Sequence, residues 1–148
     1  MKIKASAFFT ALEKEDIRMA IRQAELDTSG EIRVHIETTC TGDVMDRASR
    51  LFEKLKMHET RLRNGILIYL AIHNRKFAII GDAGINAVVP ENFWDNIEED
   101  MISHFRENKF LEGLLYAIEK AGLQLKKHFP YVSGDINELP DDISFSDE

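Results

Sequence analysis

Cysteine is almost missing from this chain: Cys40 is the one residue of its kind in 148. A single thiol cannot close an intramolecular disulfide or build a cysteine-based zinc cluster, so both of those small-protein classes are excluded. Proline is scarce, at three residues, and no internal repeat or low-complexity stretch is present. Long apolar runs are missing too. The longest, 65–72 and 77–80, fall far short of the ~20 residues that span a bilayer. The N-terminus meets Glu13 and Asp16 before an apolar stretch forms, which is not the pattern of a secretory signal. These absences read as a cytoplasmic protein with no membrane partner.

A basic face is the last absence. Lys and Arg total 19 against 26 Asp and Glu, and six of the acids lie in 134–148, which has neither Lys nor Arg. The body is therefore nearly neutral, and a nucleic-acid partner, which needs a basic surface, is not expected. What is present is 44% hydrophobic residues spread along the chain, enough for one sizeable core. The organisation read from this is an α/β domain over 1–130 and an acidic tail over 131–148, and a monomer is expected.

Periodicity places the elements. Thr10 to Glu13 has the form of a capping box, and Ile17, Ala20, Ile21 and Ala24 follow as a helical stripe, predicting a helix over 11–26. Strict alternation from Glu31 to Glu37 predicts a strand with one buried face, its polar residues being Glu31, Arg33, His35 and Glu37. Asp43 is placed as the N-cap of a helix whose stripe runs Val44, Ala48, Leu51, Phe52, Leu55. The segment from Ile66 to Ile72 is apolar on both faces and reads as the central strand. His73 and Asn74 then form a tight hairpin, with Asn74 suited to positive φ, leading to an antiparallel strand ending at Ile80. Residues 81–89 form a loop or short helical turn. Pro90 opens a helix carrying Phe93, Ile97, Met101 and Phe105, and a last helix covers roughly 110–127. The tail is an extended arm packing through Ile136, Leu139 and Ile143. The expected fold class is α/β, a three-layer α/β/α sandwich on a small mixed sheet of three to four strands.

Topology brings polar residues together. If the first two strands run parallel through a right-handed crossover, Glu31 and Asn64 begin them, and the third strand returns Asp82, Asn86 and Glu91 to the same end. Such an oxygen-rich set suits a hard cation, Ca2+ or Mg2+, with Gly81 and Gly84 turning loop carbonyls inward. A simple turn at Asp82 and a helix-dipole role for Glu91 account for the same residues without a ligand. A second candidate set, Glu37, Asp43 and Asp46, with Asn74 beside it, lies at the opposite end, where capping alone also explains the two aspartates.

No two of the five histidines are spaced as helical metal ligands, and no phosphate loop, nucleophile elbow or dinucleotide fingerprint occurs. His35 with Arg33 can contact a phosphate, although exposed strand residues of this kind rarely have a role. Trp94 lies off the stripe of its helix and marks a possible protein-partner surface.

The order of Ser29-Gly-Glu-Ile-Arg-Val-His-Ile, Asn64-Gly-Ile-Leu-Ile-Tyr-Leu, Arg75-Lys-Phe-Ala-Ile and a glycine loop opening a helix resembles the TPM-domain family, the thylakoid-lumen acid phosphatase-like domain. The resemblance covers roughly Thr10 to Phe129. It implies an α/β sandwich, a Ca2+ or Mg2+ site and, in some members, acid phosphatase activity. Members commonly carry a Gly-Tyr-Gly-Leu-Glu-Gly loop and a Thr-Asp pair, whereas Asn86 and Glu91 stand at those acidic positions here. Many members also carry a signal and a membrane anchor, neither of which is recognised in this sequence. The expected function is a cation-binding or regulatory module. The alternative is a metal-dependent acid phosphatase acting on phosphomonoesters, with Arg63 as the nearest group to meet the phosphate.

Overall fold

A computed structural model describes residues 3–131 and 143–147 of the chain. The elements in order are α1 (Ala5–Phe8), α2 (Ala11–Glu25), β1 (Glu31–Glu37), α3 (Val44–Lys54), β2 (Gly65–Ala71), β3 (Lys76–Gly81), α4 (Ala83–Asn86), α5 (Phe93–Arg106), α6 (Phe110–His128) and β4 (Ile143–Ser146). The strands form one mixed sheet in the order β3-β2-β1-β4. Strands β1 and β2 run parallel, with Glu31 opposite Gly65, and β3 returns antiparallel, with Gly81 opposite Ile66. The expected α/β/α sandwich is present.

The pleat divides the core into two unequal halves. Ile32, Val34, Ile36, Ile66, Ile68 and Leu70 project to one side, where they meet Ile17 and Ile21 of α2, Ile97 and Met101 of α5, and Leu114, Ile118 and Leu125 of α6. Leu67, Tyr69, Ala71 and Ala78 project to the other, where α3 lays down Ala48, Leu51 and Phe52. Because β2 has helices on both faces, all seven of its residues are buried, as its unbroken apolar run requires. Burying each large aliphatic side chain of this set contributes ~1.5–3 kcal/mol, which is what holds three layers together without a disulfide.

Local signals act where the sequence places them. The Thr10 hydroxyl accepts from the Glu13 amide at 3.1 Å, and the Glu13 carboxylate accepts from the Thr10 amide at 2.9 Å, closing the capping box of α2. Asp43 caps α3 by accepting from the Asp46 amide at 3.0 Å. Several boundaries differ from expectation. Helix α5 begins at Phe93, because Pro90 to Asn92 form a turn ahead of it instead of its first residues. In the hairpin the positive φ falls on Arg75, at 53°, while the Asn74 side chain accepts from the Cys40 amide at 2.7 Å. The short helix α1 has no periodic signal in so few residues.

The largest departure concerns the two ends of β1. Its polar face is not exposed: Glu31, His35 and Glu37 are all buried. The acidic tail contributes to this, because Ile143–Ser146 forms a fourth strand parallel to β1, with Val34 opposite Ile143 and Glu37 opposite Ser146. Ile143 is buried, as expected for the arm, whereas Ile136 and Leu139 lie outside the described residues.

Candidate functional site

The parallel pairing of β1 and β2 and the antiparallel return of β3 bring Glu31, Asn64 and Asp82 to one end of the sheet, as the topology predicts. The Asp82 amide donates to Gly65 O at 3.0 Å and the Glu31 amide to Asn64 O at 3.4 Å, so the three chain segments are tied edge to edge. Asn64 is 1% exposed and Asp82 7%. The Asn64 amide nitrogen donates to Ser29 Oγ at 3.3 Å. Its side-chain oxygen is buried with no hydrogen-bond partner among the described residues.

Asp82 meets a charge the protein itself supplies. Arg63 clamps it in bidentate fashion, Nε to Oδ2 at 2.7 Å and Nη2 to Oδ1 at 2.8 Å, and Oδ1 also accepts from the Ala83 amide at 2.7 Å to cap α4. The carboxylate holds the guanidinium charge more firmly, raising the Arg63 pKa above its ordinary value. The Arg63 side chain is 52% exposed, so its far edge remains in water. Beside it lies an open pocket of about 360 Å³ lined by Ser49, Phe52, Glu53, His58, Arg63, Ile80, Gly81 and Asp82. His58 Nδ1 is buried with no hydrogen-bond partner among the described residues.

The remaining two residues of the set are placed differently. Asn86 donates to Gly81 O at 2.7 Å and accepts from Trp94 Nε1 at 2.8 Å, so both ends of its amide are engaged. Trp94, the off-stripe residue of α5, is partly buried by this bond and by an edge contact with Phe93. Glu91 sits exposed in the turn before α5. Gly84 has a different task from the inward turning of carbonyls. A Cβ there would lie 2.0 Å from Leu62 O and 2.6 Å from Arg63 O, so its hydrogen atom is what lets α4 touch the backbone that carries Arg63.

At the opposite end of the sheet, Glu37 is committed to the core. Arg47 binds its two oxygens at 2.5 and 3.0 Å, and the Tyr69 hydroxyl donates to it as well. Burial works against the charged carboxylate, but these donors overcome it and hold the Glu37 pKa below the ordinary range. Burial, together with the Glu37 contact, pushes the Tyr69 pKa up. Asp43 and Asp46 are exposed at the start of α3, and the neighbouring carbonyls of Cys40 and Gly42 accept from Lys76 Nζ at 3.4 and 3.0 Å. Alongside, His35 meets Ser144 Oγ at 2.6 Å and Ser146 Oγ at 3.0 Å and stacks on Tyr69. Burial lowers its pKa to about 4.

Sequence reasoning missed Arg47, Tyr69, His58 and the two tail serines. Arg47 was findable in part, being one turn past the cap of a helix that packs beside the strand end carrying Glu37. His58 and Ser49 carry no pattern of their own. Among the described residues, no three His, Cys, Asp or Glu side chains converge as a metal-binding group. The donors at the Asp82 end fit a hard cation by chemistry, being carboxylate and amide oxygens, with Arg63 as the competitor for Asp82.

Comparison with known proteins defines the class. The TPM-domain family model matches residues 3–124, and the chain belongs to that family. Among solved structures, the NMR structure of the BA42 protein from the psychrophilic bacterium Bizionia argentinensis is 50% identical. It superposes with a TM-score of 0.85 over 93% of this chain and 94% of that one. The N-terminal domain of a P. gingivalis protein shares the fold at 18% identity and TM-score 0.70, covering 86% of this chain and 84% of the other. The N-terminal domain of the cg2496 protein from Corynebacterium glutamicum does so at 13% identity and TM-score 0.63, covering 92% and 80%. No curated protein matches the chain. No helix among the described residues is long and apolar enough to cross a membrane.

Proposed function

We propose that this TPM domain is a divalent-cation-binding module, taking Ca2+ or Mg2+ where β1 and β2 start and β3 ends, and acting through binding instead of through a nucleophile of its own. The observation that carries this reading is the buried Asn64 side-chain oxygen, which has no hydrogen-bond donor among the described residues, at the same sheet end as the buried Asp82 carboxylate. A buried acceptor left unsatisfied costs about 1–3 kcal/mol, and a hard cation is a partner that offsets it. Asp82, Asn64 and Glu31 would hold the ion, with water completing its shell. Asn86 and Glu91 are outside this set, the first engaged with Trp94 and Gly81 and the second exposed. Arg63 acts as the resident counter-charge of Asp82, and its half-exposed side chain can turn toward solvent as the ion takes over neutralising the buried carboxylate. A bound ion supplies a fixed double positive charge at this position.

A second reading, handling of a phosphomonoester, is favoured by one observation: Arg63, His58 and Ser49 line the same pocket as Asp82. A guanidinium held in place by a buried carboxylate is oriented to meet phosphate oxygens.

Amide NMR titrations of the metal-stripped chain separate the two. In the cation reading, Ca2+ or Mg2+ gives saturable shifts at 64 and 82, Asp82→Asn weakens binding at least about tenfold, and Arg63→Gln tightens it. In the phosphate reading, inorganic phosphate shifts 49, 58 and 63, and Arg63→Gln abolishes the effect. Saturation by neither ligand rejects both.

A further inference from the structure

The outer face of α2 and its C-cap residue carries an apolar row with no partner among the described residues. Leu12 is 81% exposed, Met19 58% and Leu26 52%. They are seven residues apart, so at 100° per residue all three fall within about 20° of one line along the helix. Beside them runs a groove of about 520 Å³ between α2 and α6, its walls including Asp16, Ala20, Gln23 and Leu123. Leu123 is itself 52% exposed.

The row is symmetric about Met19, and so are the charges next to it. Glu15 lies on one flank four residues before Met19, and Arg22 lies on the same flank three residues after it. They form a long ion pair of 3.8 Å within α2, both well exposed. We infer that this face pairs with a second copy of the chain, the two α2 helices lying antiparallel about a two-fold axis at Met19. That operation reverses chain direction but keeps each flank on its own side. Leu12 then meets Leu26 of the partner subunit, and Met19 meets Met19 of the partner subunit. Glu15 faces Arg22 of the partner subunit, twice, and Asp16 faces Gln23 of the partner subunit. The parallel alternative would exchange the flanks and set Glu15 against Asp16 of the partner subunit, twice, which repels. Each copy's α6 lies on the Asp16 flank, so the groove and Leu123 close against their equivalents in the same contact.

Sedimentation of the full chain across a concentration series, up to that used for amide NMR, tests the pairing. A monomer–dimer equilibrium is expected, and Met19→Glu, which sets two carboxylates face to face at the axis, weakens it at least about a hundredfold. Met19→Cys should form an interchain disulfide on oxidation, because only residues near the axis meet their own copies. Glu15→Arg alone should weaken the dimer, and Glu15→Arg with Arg22→Glu should restore it. All of these side chains are exposed, so the variants fold. A wild-type chain that sediments as a monomer throughout overturns the inference, as does a dimer that survives Met19→Glu.

Discussion

Replacing Gly84 by Ala sets two rules in opposition, and the structure decides between them. Gly84 is a residue of the short helix α4. On propensity alone, Gly to Ala in a helix stabilises by about 1 kcal/mol. Here the new methyl would lie 2.0 Å from the carbonyl oxygen of Leu62 and 2.6 Å from that of Arg63, both backbone atoms. To relieve the contact, α4 and the 62–63 segment must part by roughly 1 Å, breaking the 2.8 Å bond from the Gly84 amide to Arg63 O. Overpacking of this kind costs about 1–3 kcal/mol, and loss of a backbone hydrogen bond adds about 1. After subtracting the propensity gain, Gly84→Ala should destabilise by about 1–3 kcal/mol, lowering Tm by about 3–10 °C for a domain of this size. Gly42→Ala is the control, since no heavy atom lies within 4 Å of a Cβ built there, and its Tm should hold or rise slightly. Thermal melts of both variants by circular dichroism read the difference. A Gly84→Ala chain as stable as the parent would refute the close-packing role and return Gly84 to the status of a turn residue.

Acid should weaken the fold through His35. Its folded pKa of about 4 lies below its ordinary value, so the unfolded chain takes up the proton first. The stability is complete above about pH 6.5 and is lost as pH falls toward 4, by at most about 3 kcal/mol. Urea midpoints at pH 7 and pH 4.5 should therefore converge in His35→Gln more than in the parent. An equal drop in both chains would exclude His35 as the cause. Tyr69→Phe removes a donor to the buried Glu37 carboxylate and should cost about 1–3 kcal/mol while raising the Glu37 pKa. Carboxyl-carbon NMR titration reads that second effect directly. Because Glu37 titrates below its ordinary value when folded, its contribution is present above about pH 4.5 and disappears as pH falls through the lowered value.

Much of the architecture is legible in the periodicity, because the residues that set it act locally. The alternation of β1, the capping box of α2 and the Asp43 cap each depend on neighbours a few residues away. The unbroken run of β2 also encodes its own burial. What the sequence hides is non-local. Nothing near Ile143 announces that Ser144 and Ser146 meet a histidine more than a hundred residues earlier, so a polar β1 face reads as solvent-facing. The candidate site divides in the same way. Topology correctly gathers Glu31, Asn64 and Asp82, since strand direction alone fixes which ends coincide. It gives no account of Arg63, which clamps Asp82 from a backbone with a positive φ of 53°, or of Trp94 turning back to occupy Asn86.

The placement of β4 sets the order in which the fold can be finished. Every other strand and helix is synthesised before it, yet it covers the flank of β1, the second strand from the end of the sheet. Until Ile143–Ser146 emerge, a growing chain holds a β1 with one row of backbone groups unmatched and His35 without its two serine hydroxyls. An open edge of this kind is a template for pairing with other chains. Ile143–Ser146 therefore serves as a closing seam, and a ribosome stalled before it would leave the β1 side of the sheet exposed.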